Sequence, residues 1–375
     1  MKDLTRKNTY KIVILFALPL VLLGLLLCMS LPVSAYGEHW IDTMDEPADY
    51  DFSFAIVGDT QIINDDYPDD YHKIYDYILD NRESKNIQMV IGLGDIVNNN
   101  NINEWLRASE QFSRLQETGL RHIPIRGNHD NSTNYNTFIT EFVENEIAGS
   151  YSQNNIHNTY HLYTVGNVKY LILALDYGPS DKVLEWANGV CEQYPDHNVI
   201  VATHLYLNRK GEHAGMSSTE IEYNAQNCGE DIWNKLVSKQ KNIVMVLSGH
   251  ISDNGIIHTS HVGEHGNTVV EMLIDPQGLD ANDVPGGMVA MFYFKNNGTE
   301  LTVQYYSTIQ EKYYGEAFTV ELDTVPVSTP APTPQPAPTP VAPPSLMWLW
   351  ISLGSIAVIA IVTVILLLCR RKKQA

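Results

Sequence analysis

Five short β-rich apolar runs, each cut off by polar residues of a few recurring kinds, constrain this chain more than any other feature. Phe-Ala-Ile-Val runs into Gly58-Asp59-Thr60-Gln61, Met-Val-Ile-Gly-Leu into Gly94-Asp95-Ile96-Val97-Asn98, and Ile-Pro-Ile into Arg126-Gly127-Asn128-His129-Asp130. Val-Ile-Val-Ala-Thr stops at His204, and Val-Met-Val-Leu at Ser248-Gly249-His250. Continuous apolar runs of this length are strands buried on both faces, the pattern of parallel sheets. Open α/β sheets bind ligands beyond the carboxyl ends of their strands. The five ends therefore bring two Asp, one Asn and three His to one edge. A single Gly-Asp after a strand is most often a turn in which Asp bonds its own backbone. It is the recurrence, five times in order, that points to a site.

From Asp51 to about Leu322 the chain alternates such runs with helical spacing over Asp69–Glu83 and Asn103–Glu117, which predicts βαβ crossovers. Later runs, Gly255–Val262, Thr268–Ile274, Met288–Phe294 and Leu301–Tyr306, follow one another as strands without helices between them. The expectation is a mixed α/β fold, a mixed β-sandwich flanked by helices, in one domain over residues 36–324 with no internal repeat.

The flanks differ in kind. Residues 1–35 hold a basic leader, an apolar run from Ile12 to Leu31 and the small residues Val33-Ser34-Ala35, and read as a signal peptide, with an uncleaved anchor as the alternative. Residues 325–345 form a Pro-rich linker with nine prolines between Pro326 and Pro344, an extended spacer. Leu346 to Cys369 is long and apolar enough for a transmembrane helix, and the basic tail 370–375 beside it favours the cytoplasmic side. Domain 36–324 is therefore expected outside the cell membrane on a single-pass tether.

With Lys2, Arg6, Lys7, Lys11, Arg370, Arg371, Lys372, Lys373 and Asp3 set aside, 24 Lys and Arg against 44 Asp and Glu become 16 against 43, a charge of about −27. Such a surface repels polyanions, so no nucleic-acid binding is expected beyond a nucleotide as substrate. Cys191 and Cys228 are the cysteines between the apolar runs, and a disulfide is permitted there. Asn131-Ser132-Thr133 and Asn297-Gly298-Thr299 have the pattern of glycosylation acceptors. His258, His261 and His265 read as solvent-facing histidines of a hairpin, with a third metal site as the alternative, and Asp275-Pro276-Gln277 ends another apolar strand. Tyr206–Gly229, which carries His213, reads as a surface loop or a substrate lid.

At the five strand ends the sequence resembles the calcineurin-like metallophosphoesterases, whose blocks are Asp-x-His, Gly-Asp-x-x-Asp, Gly-Asn-His-Asp/Glu, a lone His and Gly-His-x-His. The likeness runs from Asp51 to roughly Phe294 with all five blocks in order. It implies the metallo-dependent phosphatase-like fold and two divalent metal ions, Mn, Fe, Zn or Mg. Asp95 would bridge them, Asn128, His204 and His250 would hold one, and Asp59 the other. His129 would protonate the leaving oxygen, with Asp130 beside it. Hard oxygen donors mixed with imidazole suit those metals, and a pair of ions can clamp an in-line displacement while generating hydroxide. Three positions depart from the pattern: Gln61 stands for a histidine, Asn98 for an aspartate and Ser252 for a histidine. Gln61 is expected to ligate through its amide oxygen, and loss of the carboxylate at Asn98 would deprive His129 of an orienting partner.

The resemblance thus implies an extracytoplasmic hydrolase acting on phosphate mono- or diesters with metal-activated hydroxide. The alternative, motivated by the three departures, is a catalytically impaired metal-binding surface module on the same fold.

Overall fold

The computed structural model describes residues 40–216, 225–252, 256–279 and 287–325. The leader 1–35, the linker beyond Val325, the span 346–369 and the basic tail 370–375 lie outside the described residues.

Two sheets face each other. In the first, β2 (Phe52–Val57), β3 (Ile87–Gly92) and β4 (Arg121–Ile123) run parallel, and β12 (Met288–Lys295) joins β2 antiparallel. Beyond β12 follow β13 (Glu300–Ser307), β14 (Lys312–Tyr314) and β1 (Trp40–Ile41), with β15 (Phe318–Glu321) also on β13. In the second, β7 (Val168–Ala174), β8 (Asn198–Ala202), β9 (Ile243–Ser248) and β11 (Thr268–Ile274) are mutually parallel neighbours. The antiparallel strands β6 (Asn155–Val165), β5 (Gly149–Ser152) and β10 (Ile256–Val262) extend its edges.

The strands lack polar alternation because both faces are covered. Phe52, Phe54 and Ile56 of β2 meet Tyr170, Ile172, Met245 and Leu247 of the other sheet, while Ala55 and Val57 meet Ile74 and Trp105 on helices. Those helices are α1 (Gln61–Asp66), α2 (His72–Asp80), α3 (Ile102–Glu117) and α4 (Ser132–Val143). On the far side, α5 (Asp181–Gln193) and α6 (Gly229–Lys235) cover Leu171, Leu173, Val199 and Val201. The result is the expected β-sandwich flanked by helices.

Local chemistry explains the helix starts. Asn101 accepts hydrogen bonds from the Asn103 and Glu104 amides and so caps α3, whose Trp105, Ala108, Phe112 and Leu115 recur every three or four residues on the buried face. Trp105→Ala would cost about 3–5 kcal/mol. Asn131 caps α4 in the same way through Thr133 and Asn134, so the first glycosylation pattern coincides with a helix cap.

The permitted disulfide does not form: Cys191 and Cys228 are both buried free thiols. Cys191 is packed into the outer apolar core, where burial pushes its thiol up to about 12. Cys228 lies before α6, and its Sγ donates to Asp231 Oδ2 at 3.3 Å. Of Tyr206–Gly229, residues 217–224 lie outside the described residues; in the described part, Tyr206, Leu207 and Ala214 belong to the same buried core.

Candidate metal centre

The carboxyl ends of β2, β3, β8 and β9, with the loop after β4, converge as expected. Asp59 and Asp95 are buried just beyond β2 and β3, each with positive φ, at 21° and 49°. His204 follows β8 and has no exposed surface, and His250 follows β9 with φ at 77°. Such backbone conformations are uncommon for non-glycine residues and cluster at functional sites.

Close approach between these ends depends on glycine. A Cβ on Gly127 would lie 2.0 Å from Asp95 Oδ1, and one on Gly249 would lie 2.0 Å from Asp59 Oδ1. Hydrogen bonds then lock the loops together. Asp59 Oδ2 accepts from the His250 amide at 3.0 Å, and Asp95 Oδ1 from the His129 amide at 3.0 Å.

Asp130 completes the lock. Its Oδ1 accepts from the Ile96 and Val97 amides and its Oδ2 from the Gly127 amide, at 2.9 to 3.1 Å. Both oxygens are thereby spent on backbone, which makes Asp130 a positioning residue that ties the Asp95 loop to the Asn128 loop. Arg126 braces the same loop, donating from Nε to Asp176 at 2.6 Å and from a terminal nitrogen to the Asp130 carbonyl at 2.7 Å.

At the centre, His204 Nδ1 lies 2.7 Å from the Leu93 carbonyl oxygen, which can only accept. That nitrogen therefore carries the hydrogen, and Nε2 faces the cluster. Nε2 is 2.9 Å from Asn128 Oδ1, 3.2 Å from Asp95 Oδ2 and 4.0 Å from Asp59 Oδ2. The lone pair of a neutral imidazole would meet acceptor oxygens there, so the arrangement calls for a positive charge between them. The titration of His204 expresses that demand: burial works against the charged ring, yet Asp95 and Asp59 hold it up to about 10. His250 joins the group, since Asp95, His204 and His250 each offer a ligand atom within 4.8 Å of the others.

Three more buried acceptors have no hydrogen-bond partner: Asp59 Oδ1, Gln61 Oε1 and Asp275 Oδ2. Gln61 spends its amide nitrogen on Asp95 Oδ2 at 3.1 Å, leaving its oxygen unpaired. Asp275 sits just beyond β11, whose register pairs Leu273 with Ser248, so it lies at the same sheet edge as His250. A Cβ on Gly58 would lie 1.9 Å from the Ile274 carbonyl, so Asp59 and Asp275 follow touching backbones. Burial, then Asp275 and Asp95, push the Asp59 carboxyl well above its ordinary range. Burial pushes Asp275 up to about 7. Buried oxygens without donors, beside imidazole, form a donor set that fits divalent cations.

His129 is half-buried, and its Nδ1 donates to the Asn98 carbonyl oxygen at 2.9 Å. The Asn98 side chain turns away to Asp65 at 2.8 Å. Orientation of His129 therefore needs no carboxylate at position 98.

Sequence reasoning did not place the Leu93 and Asn98 carbonyls, which are backbone acceptors without a residue signature. Nor did it place Tyr177, whose ring lies 5.4 Å from His250 and 5.9 Å from His204.

The chain is 30% identical over 247 residues to the uncharacterized protein YvnB of Bacillus subtilis, covering 62% of this chain and 18% of that protein. It thus spans under a fifth of that relative's length. Among solved structures it is similar to the NAD nucleotidase of Haemophilus influenzae, at 12% identity and TM-score 0.39 over 72% of this chain and 49% of that one. It is also similar to the sulfate thiohydrolase SoxB of Thermus thermophilus, at 12% identity and TM-score 0.43 over 72% and 58%. The family model described as calcineurin-like phosphoesterase matches residues 52–253, a stretch that contains Asp59, Gln61, Asp95, Asn128, His129, Asp130, His204 and His250. The chain belongs to the calcineurin-like phosphoesterase family.

Proposed function

We propose that this chain is a metal-dependent phosphoesterase that hydrolyses phosphate mono- or diesters with two divalent ions, and that it works outside the cell membrane. The observation that carries the reading is the approach of Asn128 Oδ1 and Asp95 Oδ2 to within 3.2 Å of His204 Nε2, beside unpartnered oxygens of Asp59, Gln61 and Asp275. Asp95, Asn128, His204 and His250 would hold one ion. Asp59, Asp95 and Gln61 would hold the other, with Asp275 filling out a set that lacks the family's two histidines at positions 61 and 252. The oxygen-rich second set favours Mg or Mn, and the first Zn, Fe or Mn.

Bound there, the ions supply Lewis acidity and a nucleophile at neutral pH. They also supply positive charge without which a phosphate ester would be repelled by a chain of net charge −20. His129 contributes the proton. With Nδ1–H fixed on the Asn98 carbonyl, Nε2 is the atom left to deliver a proton to the leaving oxygen. Asp130 and Arg126 hold the loop on which Asn128 and His129 ride.

The location rests on the sequence: leader 1–35, spacer 325–345, span 346–369 and basic tail 370–375, all but Val325 outside the described residues. Among the described residues no helix is long and apolar enough to cross a membrane. A tag after Ala375 should resist protease added to intact cells while domain 36–324 is cleaved; the reverse pattern would refute the orientation.

Turnover is tested with aryl phosphate mono- and diesters on the metal-loaded chain. Asn128→Ala and His204→Ala should each abolish hydrolysis with the fold retained. Activity that survives both changes would remove the assigned site. The binding-module alternative, favoured by the Gln61 amide resting on Asp95, predicts metal uptake with no turnover of any ester.

A further inference from the structure

A second cluster lies on the outer face of the seven-stranded sheet, roughly 13 Å along β11 from Asp275 at about 3.3 Å per residue. Glu271 interrupts the apolar run of that strand. Its neighbours on the same face, Val269 and Leu273, pack into the core under α5 and α6, and Glu271 itself has no exposed surface. A carboxylate in such a place needs strong partners. Oε1 accepts from the Tyr206 hydroxyl at 2.8 Å and lies 3.0 Å from His213 Nε2. Oε2 lies 3.0 Å from the same nitrogen and 2.8 Å from His261 Nδ1.

We propose that His213, His261 and Glu271 hold a zinc ion that clips the loop after His204 to the β10–β11 hairpin. Two imidazoles with one carboxylate form a zinc donor set that leaves a fourth position for water. The three ligand atoms lie within 4.8 Å of one another. A tetrahedral zinc at 2.0–2.1 Å from its ligands holds them about 3.3 Å apart, so the two nitrogen–carboxylate spacings of 3.0 and 2.8 Å need to open by only a few tenths of an ångström.

The supporting contacts are those of a built site. The Tyr206 hydroxyl orients the carboxylate from behind, as outer partners of metal ligands do. Trp233 of α6 stacks on His213 with ring centres 4.9 Å apart and planes 22° apart, fixing that imidazole. The ring centres of His213 and His261 are 4.5 Å apart. Glu271 and His213 close the inner side, while the His261 side chain is 38% exposed and leaves an entry path. His258 and His265 take no part: His258 stacks on Phe318, and His265 Nε2 bonds the Lys239 carbonyl oxygen. The clip stands independently of the phosphoesterase reading, because it uses none of the residues at the strand ends.

The test loads the full chain with Zn²⁺ alone, removes the excess and counts zinc per chain. His261→Ala and Glu271→Gln should each hold one zinc fewer than the unmodified chain, show a smaller zinc-dependent rise in melting temperature, and keep the unmodified rate of ester hydrolysis. Equal zinc content in all three proteins overturns the site. Should the variants fail to fold, the unmodified chain gives a second readout: zinc should protect His213 and His261 from diethyl pyrocarbonate, mapped peptide by peptide. Equal modification of both with and without zinc also overturns it.

Discussion

His129 takes its orientation from the backbone of Asn98: its Nδ1–H donates to the Asn98 carbonyl oxygen at 2.9 Å while the Asn98 amide turns to Asp65. The substitution of asparagine for the family's aspartate at position 98 therefore leaves the proton donor aimed. Asn98→Ala should keep turnover within a few-fold of the unmodified chain. His129→Ala should lower kcat by about 10²-fold or more with metal content unchanged. Steady-state kinetics beside metal analysis decide it, and loss of metal in His129→Ala would make the residue a ligand.

Asp275 brings a carboxylate oxygen with no partner to the edge where the second ion's set is short of donors. Asp275→Asn should weaken the second ion at least as much as the roughly 10–100-fold of an outer-shell loss, leaving the first in place. Calorimetric titration of Mn²⁺ into the metal-free full chain measures both steps. Two unchanged affinities would take Asp275 out of the centre.

Glycine at 249 is required by contact rather than by turn chemistry. A Cβ there meets Asp59 Oδ1 at 2.0 Å and the Leu93 carbonyl oxygen at 3.4 Å. Gly249→Ala should displace Asp59 and cost one bound ion. Gly189 of α5 is the control, since a Cβ there meets nothing within 4 Å. Gly189→Ala should stabilise by about 0.5–1 kcal/mol, read as a higher melting temperature with full metal content.

Two buried histidines make stability depend on pH away from the site. Burial pushes His122, whose ring is tilted against Phe112 with centres 4.2 Å apart, down to about 3, and His161 down to about 4. Both are depressed below the unfolded value near 6.5, so the unfolded chain takes up the protons first as pH falls. Their contribution is complete above about pH 6.5 and is lost toward the folded values, at up to about 1.4 kcal/mol per pH unit for each. Between about pH 6.5 and 4.5, His122→Phe should lose about 2–3 kcal/mol less than the unmodified chain in denaturant titrations. Equal losses in the two proteins would refute the assignment.

The strand ends were legible because buried parallel strands have no polar alternation, so the first polar residue after each run marks the sheet edge. Asp59, Asp95, Asn128, His204 and His250 came from that rule, and the structure brings them together. Gln61 was legible only as a departure; its unpaired oxygen depends on the amide nitrogen choosing Asp95. Asp130 read as a companion of His129 because adjacency in sequence says nothing about where a carboxylate points, and here it points at three backbone amides. Cys191 and Cys228 belong to one apolar core and yet remain separate thiols, which cysteine counting cannot foresee. Glu271 was hidden inside a run that reads as pure strand, and His213 lies 58 positions before it, so no local pattern joined them.

Asp59 and Asp275 open and close the proposed ligand set with most of the folded domain between them, and apart from Gln61, which shares the β2 end with Asp59, every member comes from a different strand end. No contiguous fragment shorter than residues 59–275 therefore contains the whole centre. Pairings this distant in sequence are slow to close during folding, so cation uptake has to wait until both sheets are nearly complete. Ion binding in this chain would then report completed assembly of the domain, and a refolding experiment followed by metal uptake should lag one followed by helix content.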